Sequence, residues 1–168
     1  MPLSQFLTHP LIIALLSAVA LRITAWLWLN DRKTAITDQA GQSVLKSKWS
    51  RVGPIPVSLL ASILYAVTIL TTLLLYIHLP PQQLCEKALS AIAAMIAGGT
   101  LWFIALQRFI LRRICKWCAI ANFLGLFIAA CIFKKLLDGN IDMGGLVFGL
   151  SSVVGLIAIQ VFNRRETK

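Results

Sequence analysis

The sequence predicts an all-α integral membrane protein: five transmembrane helices forming a bundle, with a short amphipathic half-helix in the loop between helices 1 and 2. Three observations predict it. Of the 168 residues, 58% are hydrophobic and only 13% charged, whereas an ordinary soluble domain carries about 25% charged residues. The apolar residues gather into five runs long enough to cross a hydrocarbon core of about 30 Å. The 16 Lys and Arg residues, which set a net charge of +10, fall mainly between those runs, as in membrane-flanking segments. That placement argues against nucleic-acid binding, which concentrates basic residues in a patch or stripe. The chain, 1–168, therefore reads as a single membrane domain bathed in lipid.

The first run, 11–29, is interrupted only by Arg22. No Lys or Arg precedes it and no small-residue cleavage site follows, so a retained helix is expected rather than a signal peptide. Arg22 lies about two turns from the end of the run. It can snorkel to the nearby interface or face a polar cavity, while Trp26 and Trp28 fit an interfacial aromatic belt. Residues 30–55 form a long polar loop. Within it, Val44, Leu45, Lys48 and Trp49 fall along one side of a short helix, which reads as a lid lying on the membrane with Trp49 dipping inward. Gly53-Pro54-Ile55-Pro56 then stops and redirects the chain.

The second run, 57–79, ends at Pro80-Pro81; its Ser58, Ser62, Thr68, Thr71 and Thr72 are expected to be helix-packing hydroxyls. A short turn holding Cys85, Glu86 and Lys87 leads into the third, 88–106, whose Gly98-Gly99 pair permits close approach of a neighbour or a ligand. A basic stretch, 108–116, opens onto the fourth run, 117–133, ended by Lys134-Lys135. Asp138-Gly139-Asn140 makes a turn, and the fifth run, 143–162, carries Gly145 and Gly149 at a spacing suited to tight packing. Five crossings place the long loop, the segment before the fourth run and the C-terminus on one side of the membrane.

The chemistry centres on Cys115 and Cys118, three residues apart at the head of the fourth run. On a helix that spacing sets them one turn apart and about 60° around the axis, close enough for a disulfide with little strain. A helix N-terminus favours the thiolate, because its unpaired N–H groups and dipole stabilise negative charge. Arg112, Arg113 and Lys116 act in the same direction. Since the thiolate is the attacking species in exchange, the pair reads first as redox chemistry. Two structural cysteines in an apolar helix are the alternative. Zinc would need two further ligands, and His9, His78 and Cys85 fall at the opposite face, so no metal is expected. Cys131, 13 residues past Cys118, lies about 20 Å along the helix and is expected, like Cys85, to be an unpaired core thiol. Asn122 sits one turn below Cys118, and a buried amide in a membrane helix needs a partner. Two partners remain open: a neighbouring helix, or the carbonyl oxygen of a quinone dissolved in the bilayer.

Three stretches resemble the vitamin K epoxide reductase family. Val44-Leu45-x-Ser47-x-Trp49-Ser50-Arg51 resembles its loop half-helix with the family serine at Ser47; Gly53-Pro54-Ile55-Pro56-Val57-Ser58 with Tyr65 resembles the turn into its second helix; and Cys115-x-x-Cys118 with a polar residue four positions on resembles its active-site helix. The resemblance implies a membrane thiol oxidoreductase that uses a quinone, of the ubiquinone or menaquinone type, in a bacterial inner (plasma) membrane. It implies that Cys115 exchanges with a protein thiol and Cys118 passes electrons to the quinone. Ser47 and Asn122 would hydrogen-bond the quinone oxygens, with Trp49 completing that site.

One departure from the family pattern matters. The family has two shuttle cysteines in the long loop, the second six residues before the serine; here that position is Gly41, and no cysteine occurs in residues 1–84. A relay through the loop is impossible, so a separate thioredoxin-like protein, not fused to this chain, is expected to meet Cys115 directly. The alternative is a non-catalytic relative acting as a structural or accessory subunit of a larger membrane complex. Orientation pulls two ways. Apart from Arg22, twelve of the 16 basic residues flank the dithiol side, which positive-inside counting would put in the cytoplasm. The resemblance implies the outer, oxidising side, where disulfide chemistry is favoured, and the outer side is the expectation taken here.

Overall fold

The computed structural model describes residues 9–33, 47–52, 54–77, 82–112, 114–137 and 143–165. Helix α1 (Pro10–Lys33) starts with proline in its first turn, where the missing N–H costs nothing. The His9 carbonyl accepts the Ile12 and Ile13 N–H groups at 3.0 and 3.3 Å. This helix runs four residues past the apolar stretch, because Asn30 to Lys33 contains no breaker and Asn30 Nδ2 caps back onto the Trp26 carbonyl at 3.0 Å. The lid half-helix expected over residues 42–50 falls largely outside the described residues. Its described end is a single 3-10 turn, Lys48–Ser50, closed by the Ser50 N–H and hydroxyl donating to the Ser47 carbonyl at 3.0 and 2.8 Å. A feature absent from the sequence reading follows: two short strands, β1 (Arg51–Val52) and β2 (Ile55–Pro56), pair antiparallel with Arg51 opposite Pro56 and Val52 opposite Ile55. Gly-Pro between them suits a reversal, so the chain enters α2 (Val57–Tyr76) already aimed.

Helix α3 corrects an expectation. It spans Gln82–Ala105, so Cys85, Glu86 and Lys87 belong to its first turns rather than to a connecting turn. Nothing after Pro81 breaks a helix, and Leu, Glu and Lys are good helix formers. The helix continues as a wider π-helical segment, Leu106–Leu111, and stops at Arg112, whose φ of 49° is left-handed. Helices α4 (Lys116–Leu137) and α5 (Met143–Arg165) overrun the predicted runs at their C-terminal ends.

All five helices are long and apolar enough to cross a membrane, and their outer faces carry side chains such as Phe109, Phe123 and Leu15, between 67% and 76% exposed. These belong against lipid, and the chain is a multi-pass membrane protein. Helix α1 packs on α2 and α4, while α3 packs on α4, α5 and α2. Between them lies a core that includes Ile13, Tyr65, Leu89, Ile128 and Ile132. The hydroxyls of α2 behave as packing groups: Thr68, Thr71 and Thr72 donate to carbonyls one turn back at 2.7–2.9 Å, and Ser62 also donates across to Thr24 Oγ1 of α1 at 3.0 Å. Glycines set the closest approach. A Cβ on Gly149 would run into the Ala91 carbonyl oxygen, and one on Gly145 into Ser90 Oγ, so α5 lies directly on the backbone of α3. Cys85 and Cys131 are buried free thiols, and Arg22 is exposed on the outer surface of α1, as a snorkelling side chain would be.

Candidate functional site

The ends of the helices converge on one face. Trp26 of α1 and Trp117 of α4 stack at a tilt with ring centroids 5.3 Å apart, and the turn at Trp49 meets Gln160 near the end of α5. The opposite face is marked by His9 and Tyr76, whose rings lie 6.2 Å apart.

On the first face Cys115 immediately precedes α4. Its carbonyl accepts the Ala119 N–H at 2.9 Å, the first bond of the helix, and its sulfur accepts the Cys118 N–H at 3.5 Å. Cys115 thus caps its own helix through Sγ, and such a donor binds a thiolate more strongly than a thiol. The geometry follows from the motif, since the N-cap and third helical positions are three residues apart. The two cysteines are not joined by a disulfide, and both are buried: Cys115 is 1% exposed and Cys118 4%. They pack with Leu27, inside a wall of Ile23, Phe103 and Leu111.

Behind Cys118 opens a cavity of about 410 Å³. Its walls are largely aliphatic, with Leu60, Ile63 and Leu64 from α2 and Ile92 and Ile96 from α3, and its polar side chains include Cys118 and Asn122 from α4, Thr24 from α1, Ser58 and Tyr65 from α2, Thr100 from α3, Ser50 from the lid turn and Gln160 from α5. Gly99 adds no side chain to the wall, and a Cβ there would meet no atom within 4 Å. Neighbouring Gly98 does the other job foreseen for the pair, bringing Val153 of α5 within 3.1 Å of where its Cβ would stand. Asn122 Nδ2 is buried and has no hydrogen-bond partner among the described residues. A donor held without a protein acceptor at the wall of an apolar cavity suits a carbonyl-bearing ring, and so the residues present fit a quinone.

The sequence-predicted residues divide accordingly. Cys118 and Asn122 line the cavity, with Cys115 one turn above. Ser47 stands at the start of the lid turn, where its carbonyl serves Ser50; it is Ser50 that lines the cavity. Trp49 is 8% exposed, and its backbone carbonyl accepts from Gln160 Nε2. Gln160 itself escaped the sequence reading, as did Trp102, whose Nε1–H donates to Gln160 Oε1 at 2.8 Å. The available signal was the one that singled out Asn122, an amide within an apolar run.

The sequence model of the vitamin K epoxide reductase family matches residues 11–133, which takes in α1 through most of α4, the lid turn and the dithiol. Helix α5 lies beyond the match. No curated protein sequence matches the chain. The family suggests a membrane thiol oxidoreductase.

Proposed function

Because the chain belongs to the vitamin K epoxide reductase family, we propose that it passes electrons from a partner dithiol to a membrane quinone through Cys115 and Cys118. One observation carries this reading: Cys118 and Asn122, whose Nδ2 has no hydrogen-bond partner among the described residues, line the same apolar cavity one helical turn apart.

The cycle starts from the Cys115–Cys118 disulfide. A thiolate of a thioredoxin-like partner attacks Cys115 Sγ, the S–S bond breaks, and Cys118 leaves as a thiolate that takes up the proton the attacking thiol gave up. The partner's second thiol then attacks the mixed disulfide, so the partner departs as a disulfide and Cys115 as a thiol. Cys115 accepts the Cys118 N–H whenever it carries negative charge, which favours its departure as a leaving group. A bound quinone, of the ubiquinone or menaquinone type, supplies the acceptor for the two electrons and two protons released when the pair closes again. Asn122 would donate to a quinone oxygen from Nδ2, and Cys118 would face the ring. Ser47 would donate its hydroxyl to the other quinone oxygen; Ser50, which lines the cavity, already gives its hydroxyl proton to the Ser47 carbonyl. With Cys115 1% exposed, exchange with a partner requires local opening of its cover. The reaction side is the outer face of a bacterial inner membrane.

The missing loop cysteines and the buried Cys115 favour a second reading, an accessory subunit of a larger membrane complex without turnover. One assay separates the two. Purified protein supplied with dithiothreitol and a short-tailed ubiquinone analogue should form quinol at a rate proportional to protein. Absence of dithiol-dependent quinol formation, with stoichiometric partners co-purifying, would select the accessory role.

A further inference from the structure

Helix α5 lies outside the family match, yet its register is fixed tightly enough to do more than shield the bundle. Gly145 and Gly149 seat it on the α3 backbone. Gln160 lies 11 residues beyond Gly149, about 20° from the same helical face, so the glycine seating also aims Gln160 inward. There it is 6% exposed. A buried amide is costly unless its groups are satisfied, and this one is held on both sides by different parts of the chain. Its Oε1 accepts the Trp102 indole N–H of α3 at 2.8 Å, and its Nε2 donates to the backbone carbonyl of Trp49 in the lid turn. The indole fixes which way the amide points, since an N–H can be received only by the oxygen; the nitrogen is thereby presented to the lid. Strand β1, which continues from that turn, also rests on α5. Ser50 and Val52, on either side of Arg51, line the cavity.

We propose that Gln160 is a positioning residue, the latch by which the fifth helix holds the 47–52 segment closed over the cavity and so sets the affinity for the quinone-type ligand beneath it. The proposal deepens the quinone-linked reading and rests on it for one of its two readouts. Without the latch the lid segment samples open states, and a ligand that needs the closed cavity binds less tightly by the fraction of closed molecules. The same opening exposes Cys118 to reagents dissolved in the membrane.

The test compares wild type, Gln160→Met and Trp102→Phe, each full-length in lipid nanodiscs. Methionine keeps the length of glutamine and lacks its donor, whereas phenylalanine removes the indole that orients the amide. N-ethylmaleimide modification of Cys118 is followed by peptide mass spectrometry, and KM and kcat are measured with dithiothreitol and a short-tailed ubiquinone analogue. Loss of one such hydrogen bond should raise both the Cys118 modification rate and the quinone KM about three- to tenfold, with kcat within about twofold of wild type. Trp102→Phe should shift both in the same direction by a smaller factor. Unchanged Cys118 modification in either folded variant would overturn the latch, as would a fall in kcat at constant KM. Should Gln160→Met fail to fold, Trp102→Phe decides alone by the same criteria. If wild type reduces no quinone, the quinone-linked reading fails, and the modification rates still decide whether Gln160 holds the lid.

Discussion

A carboxamide nitrogen buried without a hydrogen-bond partner costs about 1–3 kcal/mol, and Asn122 keeps one at the cavity wall. Stability and binding should therefore respond in opposite directions when it is replaced. Asn122→Leu should leave the thermal midpoint in detergent unchanged or raise it, while increasing the quinone KM about tenfold, the effect of one lost hydrogen bond to ligand. A lowered midpoint with an unaltered KM would make Asn122 a packing residue instead. The cysteines show what a local motif makes legible. Their spacing dictates one turn of separation, and their place at a helix start dictates the Sγ to N–H contact that the structure contains. Asn122 was legible for the same reason, four residues further along one helix. Gln160 was not, because its meaning depends on Trp102 and Trp49, which are brought to it only by the packing of three separate segments.

At the scale of elements, the fold was legible wherever hydrophobic length alone decides it. The five runs became five helices, and the parity of their crossings brought the ends of α1 and α5 and the start of α4 to one face, as the Trp26–Trp117 and Gln160–Trp49 contacts record. Helix ends were less legible: residues such as Asn30 to Lys33 or Cys85 to Lys87 are polar enough to suggest a loop and still continue a helix. Gly53-Pro54-Ile55-Pro56 predicts a stop and a redirection of the chain but not the β1–β2 pairing, since two-residue strands leave no periodicity to detect. Glycines offer a contrast within α3 and α5. Gly99→Ala fills open space and should be neutral or stabilise by about 0.5–1 kcal/mol through helix propensity. Gly149→Ala places a methyl against the Ala91 carbonyl and should destabilise by about 1–3 kcal/mol through overpacking. Thermal unfolding of the two single variants checks the pair, and equal effects would refute the close seating of α5 on α3. Gly99→Leu, projecting into the cavity, should raise the quinone KM while the protein remains folded.

For the whole molecule, the charge distribution and the proposed chemistry point to opposite sides of the membrane. Twelve of the 16 basic residues flank the dithiol face, yet disulfide formation belongs to an oxidising compartment. The proposed orientation predicts that a reporter active only in the cytoplasm is silent when fused at the C-terminus. A fluorescent cytoplasmic fusion would place the dithiol among reducing thiols and turn the proposed electron flow toward disulfide reduction.

If Cys118 hands electrons to a ligand in the cavity it lines, its thiol is indispensable to turnover. The rate of dithiothreitol-dependent quinol formation by Cys118→Ala beside wild type tests this. Wild type should turn over, and the folded variant should fall to the no-enzyme background; a variant as fast as wild type would rule out electron transfer through Cys118.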